Sequence, residues 1–258
     1  MTIQKNTPEI LWEIKATRRQ VENVFKHLTS LNEEITLQVK EDGIRVEVVN
    51  GQHTSMMTLF WPNSAFEQYA MDDWNRFTIA DGNDIIHSMK TVGLNDLVVL
   101  KYDDLGLHIH TDYQKTNIKP YENPSQGPKL PDFSGLKMME VEAPVKWFKE
   151  AINGIGRKTN LAEFIVNDES LIIKAADLAQ KEVWEYEWKH GKTFGSKDNF
   201  PSTILDLNQI KRLAGHVNAA KVEKITMNIG NRMPLDAYWT LRDGAEIRFI
   251  LAPRLNGN

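Results

Sequence analysis

The chain has 258 residues, 41% of them hydrophobic and 26% charged, enough to bury a sizeable core without covalent staples. It contains no cysteine, which excludes disulfides, thiolate metal sites, iron–sulfur clusters and cysteine nucleophiles. Its 31 basic and 35 acidic side chains leave a net charge of −4, so it is not a protein that grips nucleic acid with its whole surface, and any such role needs its cations gathered on one face.

The start, Met1 to Glu9, is polar and lacks the apolar stretch of a secretory signal. No apolar run reaches membrane-spanning length, so the expectation is an intracellular protein with no membrane partner. From Thr17 to Leu31 the residues Val21, Val24, Phe25, Leu28 and Leu31 recur at helical spacing. Alternation then predicts strands over Ile35–Val39 and Ile44–Val48 around an Asp42-Gly43 turn, with an aromatic strand ending at Trp61. A short helix is expected over Asn83–Val92 and a strand over Leu107–Ile109. Lys119–Phe133 holds four prolines and one glycine and reads as an extended linker. Beyond it come a helix from Pro144 to Arg157, with Pro144 suited to a first turn, an aromatic strand at Val183–Trp188, and a helix over Leu207–Ala219. Strands at Ile225–Ile229 and Leu235–Trp239 follow.

The two halves resemble each other. Val21, Asp42, Trp61 and the second helix have counterparts at Val145, Asp168, Trp188 and the fourth helix, each displaced by about 125 residues. The expected organisation is a domain at 1–118, a linker at 119–133 and a domain at 134–258. Placing residues about 100° apart around each helix puts basic groups opposite the apolar stripes. The first helix presents Arg19, Asn23, Lys26 and Ser30, and the second His87 and Thr91 beside Lys90. The third presents Lys146, Glu150, Asn153 and Arg157, with Lys149 near the boundary, and the fourth Asn208 and Arg212 beside Lys211 and His216. In an acidic chain this implies a positive surface made of helices and a negative one made elsewhere.

Motifs for chemistry are sparse. His108 and His110 share a strand face but lack a third ligand at a recognised spacing. Gly191-Lys192-Thr193 resembles the tail of a phosphate loop, yet Tyr186 stands where the loop needs glycine. Glu33/Glu34 and Asp103/Asp104 lie in polar, turn-like settings. No nucleophile elbow, zinc-protease motif or dinucleotide fingerprint occurs, so no catalytic residue, cofactor or metal is assigned.

The stretch from Met233 through Trp239, followed by Arg248-Phe-Ile-Leu-Ala-Pro-Arg-Leu255, resembles the end of archaeal and eukaryotic DNA sliding clamps of the proliferating cell nuclear antigen family. Glu41-Asp-Gly-Ile44, the run from Val49 to Met56, and Asn167 to Ala176 are similar to family segments in the same order. The resemblance implies an α+β fold with two similar domains per chain, antiparallel sheets outside and two helices inside, three chains closing a six-domain ring. It implies a non-enzymatic DNA polymerase processivity factor. Double-stranded DNA would be encircled without base readout by Arg19, Lys26, Lys90, Lys146, Lys149, Arg157, Lys211 and Arg212. Clamp loader, polymerase, ligase and nuclease would dock short peptides at Val49, His53, Thr54, Met56, Leu130, Pro131, Pro234, Ile250, Ala252 and Pro253. An edge strand with Tyr113, Lys115 and Asn117 would pair with one carrying Val183, Glu185 and Glu187 of the next subunit. The expected location is cytoplasmic and nucleoid-associated in an archaeon, nuclear in a eukaryote.

Thr54 stands where the family often has valine, and Gly51 where it often has proline or serine. Extra residues around Lys15 to Arg19, a short linker, and Lys119 and Lys129 within it are further departures. They would fit one subunit of a heterotrimer or a divergent, checkpoint-like clamp. Readings from other classes are a β-rich metal-dependent enzyme using His108 and His110, or a module that reads DNA sequence directly.

Overall fold

The computed structural model describes residues 10–72, 75–121, 130–177, 181–190, 200–217 and 222–254. The chain forms two compact units, one of residues 1–48, 58–128 and 243–245, the other of 49–57, 129–242 and 246–258. The middle of the expected linker, 122–129, and the Gly191-Lys192-Thr193 tripeptide lie outside the described residues.

The first unit runs β1 (Trp12–Thr17), α1 (Arg18–Thr29), β2 (Ile35–Lys40), β3 (Gly43–Val49), β4 (Ser55–Pro62), a 3₁₀ turn (Asn63–Ala65), β5 (Gln68–Met71) and β6 (Asn75–Ile79), with Val49 and the first three residues of β4 counted in the second unit. It continues with α2 (Asn83–Ser88), β7 (Leu97–Asp103), β8 (Gly106–His110) and β9 (Lys115–Ile118). Its strands take the orders β5-β1-β7-β8-β9 and β4-β3-β2-β6. Alternation does the sorting: in β1, Trp12, Ile14 and Ala16 face the core while Glu13 and Lys15 face out. Trp12, Phe77 and Tyr102 stack with centroids 4.3–5.9 Å apart. Gly43 turns the β2–β3 hairpin at φ 147°, and a side chain there would meet the Trp61 carbonyl at 2.3 Å.

The second unit runs β10 (Met138–Pro144), α3 (Val145–Gly154), β11 (Leu161–Val166), β12 (Ser170–Ala176), β13 (Val183–Lys189), β14 (Ser202–Asp206), α4 (Leu207–His216), β15 (Lys224–Gly230), β16 (Leu235–Thr240) and β17 (Glu246–Leu251). Its orders, β10-β15-β16-β17 and β13-β12-β11-β14, repeat β1-β7-β8-β9 and β4-β3-β2-β6 strand for strand. Corresponding elements such as α1 and α3, or β6 and β14, begin about 127 residues apart. The internal repeat is therefore a repeat of topology. The 3₁₀ turn and β5 have no counterpart among the described residues of the second unit.

In each unit the two helices pack together, α1 on α2 and α3 on α4. Thr17 opens α1 with a capping box: its hydroxyl accepts the Gln20 amide at 3.3 Å and the Gln20 side chain accepts the Thr17 amide at 2.9 Å. Asp206 opens α4 by accepting the amides of Asn208 and Gln209. Pro144 sits at the N-cap of α3, one position earlier than expected, and Val145 gives its amide to the Glu223 carbonyl. All four helices are shorter at their ends than the apolar spacing implies, α1 stopping at Thr29 ahead of buried Leu31. Met89, Val92, Ile155 and Val217 are buried, which keeps the pattern going, but the backbone has already left the helix.

Candidate functional site

On α1, Arg18 and Arg19 diverge. Arg18 turns inward, pairs with Glu22 at 3.2 Å and donates to the carbonyls of Lys90 and Val92, tying α1 to the turn after α2. Arg19 is exposed. Lys26 is exposed but salt-bridged to Glu22. Burial raises the Glu22 carboxyl, but Lys26 and then Arg18 outweigh it and hold the group below its ordinary range. Lys90 is exposed and lies in the turn beyond α2, so the basic face expected on that helix is corrected: α2 carries Asp84 and His87, with the lysine past its end.

In the second unit Lys146 is exposed and Lys149 half-buried on α3. Arg157 is exposed but lies past Gly154, in the loop after α3 rather than on it. Lys211 on α4 is half-buried and donates to the Ile155 carbonyl at 3.0 Å, bridging α4 to that loop. Arg212 is exposed, and α4 itself carries no acid. Arg19, Lys90, Lys146, Arg157 and Arg212 thus present charge to solvent, whereas Lys26 and Lys211 also hold local structure.

The expected peptide-docking residues all belong to the second unit. Their frame is the turn from Asn50 to Ser55. Buried Asn50 accepts the amides of Thr54 (2.9 Å) and Ser55 (3.1 Å) on its side-chain oxygen and donates to the Thr54 hydroxyl at 3.0 Å. These bonds hold His53 at φ 54°, unusual for a residue with a side chain. Ala252 donates its amide to the Thr54 carbonyl at 2.8 Å, joining the end of β17 to the turn, and Leu235 pairs with Leu251, which brings Pro234 alongside. Met56 and Ile250, at 7% and 6% exposure, form the buried part. Val49, Thr54, Pro234, Ala252 and Pro253 are half-buried, and His53, Leu130 and Pro131 are exposed.

Past Leu130, the chain meets a network that sequence reading missed. The Arg248 guanidinium lies 5.4 Å from the centre of the Phe133 ring and is gripped by Asp236 at 2.6 and 3.1 Å. Buried Asp236 also accepts from Asn228 at 3.2 Å. The cross-strand placement of these residues on β15, β16 and β17 is visible only once register is known.

The two expected pairing edges are terminal in their sheets: β9 beside β8, and β13 beside β12. Lys115 and Asn117 are exposed on β9, while Tyr113, 79% exposed, lies in the turn before the strand and not in it. On β13 the outward side chains are Val183, 65% exposed, Glu185 and Glu187. The alternate residues Trp184, Tyr186 and Trp188 are half-buried; Trp188 packs on Trp147 of α3 and donates to the Glu142 carbonyl. His108 is taken up by Asp103 at 2.8 Å, and no group of three or more metal-binding side chains occurs among the described residues.

Comparisons with known proteins fit this geometry. Residues 15–123 match the family described as proliferating cell nuclear antigen, N-terminal domain. The DNA polymerase sliding clamp of Methanothermobacter thermautotrophicus is 24% identical over 238 residues, covering 90% of this chain and 92% of the relative. The PCNA chain solved with the C-terminal region of FEN-1 bound to A. fulgidus PCNA superposes with a TM-score of 0.84 at 18% identity, over 97% of this chain and all of that one. The PCNA2–PCNA3 complex of Sulfolobus tokodaii gives a TM-score of 0.77 at 18% identity, over 94% and 99%. Residues 15–123 thus match the N-terminal domain of proliferating cell nuclear antigen, and the chain as a whole, with its duplicated topology, has the fold of PCNA chains and is similar to archaeal DNA polymerase sliding clamps over nearly its full length.

Proposed function

We propose that the chain is one subunit of a ring that encircles duplex DNA as a polymerase processivity factor and docks replication and repair proteins by short peptides. The observation that carries this reading is the strand-for-strand repetition of two units, each with a helix pair bearing exposed cations and with open edges at β9 and β13. Pairing of β9 on one subunit with β13 on the next would cover both edges. Exposed Arg19, Lys90, Lys146, Arg157 and Arg212 would contact phosphate, with weak, salt-sensitive attraction that permits sliding because ring closure supplies retention. The ledge built from Met56, Ile250, Ala252 and Pro253 would take a partner's apolar side chains; that a similar chain, A. fulgidus PCNA, binds the C-terminal region of FEN-1 supports a partner of this kind. The reading assigns no catalytic residue. The Sulfolobus tokodaii complex of two different chains supports a mixed ring as one form of the assembly.

The deciding test is retention on nicked circular DNA compared with the same DNA linearised, after loading by a clamp loader. Retention on circles and loss from linear ends is expected. Equal binding to both, or site-specific binding to short linear duplexes, overturns the proposal.

A further inference from the structure

Between Leu130 and Lys137 the chain forms no strand or helix. Its hydrogen bonds there are local: Ser134 donates to the Asp132 carboxylate and Leu136 to the Phe133 carbonyl. The Phe133 ring is the point at which this stretch meets a charged group of the sheet, on Arg248. Arg248 is itself fixed. Asp236 is buried, so its carboxylate needs a partner, and the bidentate grip orients the planar guanidinium for stacking.

The location matters because residues two apart on a strand share a face. Arg248, Ile250 and Ala252 therefore follow one another along β17 and its extension, while Phe249 and Leu251 point to the core. Leu130 lies three residues before Phe133, a reach of at most about 10 Å. A ring held over Arg248 keeps Leu130 within reach of the Ile250–Ala252 ledge. We propose that Arg248 is a positioning residue for partner binding: with Asp236 behind it and Phe133 in front, it latches the end of the interdomain segment so that Leu130 and Pro131 stand as a preformed wall of the peptide pocket. This rests on the pocket reading above, and preorganisation is the source of the affinity gain.

The test uses the full-length protein and two readouts. The first is hydrogen exchange at residues 130–137. The second is the affinity for a labelled synthetic peptide from the FEN-1 C-terminal region, measured by anisotropy. Arg248→Met and Phe133→Leu are each expected to speed exchange and weaken the peptide roughly fivefold. The double variant should be no worse than Arg248→Met alone, because the Phe133 contact is already lost there. Arg248→Lys, which keeps a cation but loses the fork, should restore part of the affinity. Unchanged exchange in Arg248→Met overturns the latch even if no peptide binds. Faster exchange with unchanged affinity, or additive losses in the double variant, overturns the positioning role. If wild type and Ala252→Glu both fail to bind, the pocket reading falls, and exchange alone then decides whether the latch exists.

Discussion

Ala252 and Pro253 stand at the end of the proposed partner ledge, and only one of them has an amide to give, which Thr54 already accepts. A charged side chain at position 252 would stand beside Ile250 and Pro253, where a bound apolar peptide would have to desolvate it. Ala252→Glu is expected to abolish peptide binding, a loss of at least about tenfold, while leaving retention on circular DNA intact. Intact peptide binding by anisotropy would remove the proposed pocket. His110 offers a pH test. Burial first, then Lys115, Lys101 and His108, depress its pKa, against a smaller pull upward from Glu13. The unfolded chain therefore takes up this proton more readily than the folded one. The contribution of His110 to stability is full above the ordinary histidine value of about 6.5 and is lost as pH falls through the depressed folded value. Urea unfolding between pH 8 and pH 5 should show wild type losing more stability than His110→Gln; parallel curves would refute the assignment. At this scale sequence was a partial guide. Arg18 and Arg19 are adjacent and chemically identical, and only the fold reveals that Arg18 faces Glu22 and the carbonyl of Val92. Asn50, next to Gly51 in the sequence, is buried, and its side chain clamps the turn through Thr54 and Ser55, which residue type alone does not reveal.

Elements were more legible where period decided burial. Alternation located β2, β3, β8, β15 and β16 to within a residue or two, because a half-buried strand has few ways to place its apolar set. Helix ends were less legible, since Met89, Ile155 and Val217 remain buried beyond the last turn and extend the apolar stripe without extending the helix. The contact of β13 with the end of α3 could not be read from spacing at all. A side chain added at Gly154 would lie 2.0 Å from the Tyr186 hydroxyl, and one at Gly156 would lie 2.4 Å from the Trp184 ring. Gly156→Ala should therefore destabilise by about 1–3 kcal/mol in chemical denaturation, through overpacking against the Trp184 ring. A neutral result would mean the strand yields. The exposed cations of the helix pair in the second unit are tested by Lys146→Glu with Arg212→Glu. Loading and processivity should fall while native mass is unchanged; unaffected processivity would show that these two residues do not face DNA.

For the molecule as a whole, native mass is the decisive number. Native mass spectrometry at micromolar concentration should give three times the 29.6 kDa chain, or a trimer once a sister chain is added. A persistent monomer that binds no clamp partner would defeat the ring. The repeat was visible in the sequence because a few landmarks, the two halves' helices and aromatic strands, keep their offset. The edges were visible only through the family resemblance, since an exposed strand end carries no pattern of its own. β9 and β13 belong to different sheets and are not copies of one another, so a contact between them is heterologous: each subunit offers a different face to each neighbour. Such contacts close only when the rotation per step divides a full turn. A small tilt of β13, such as a crowded Gly156 could impose, would convert closed assemblies into open spirals or rings of another size, and electron micrographs would reveal the change before any loss of folding.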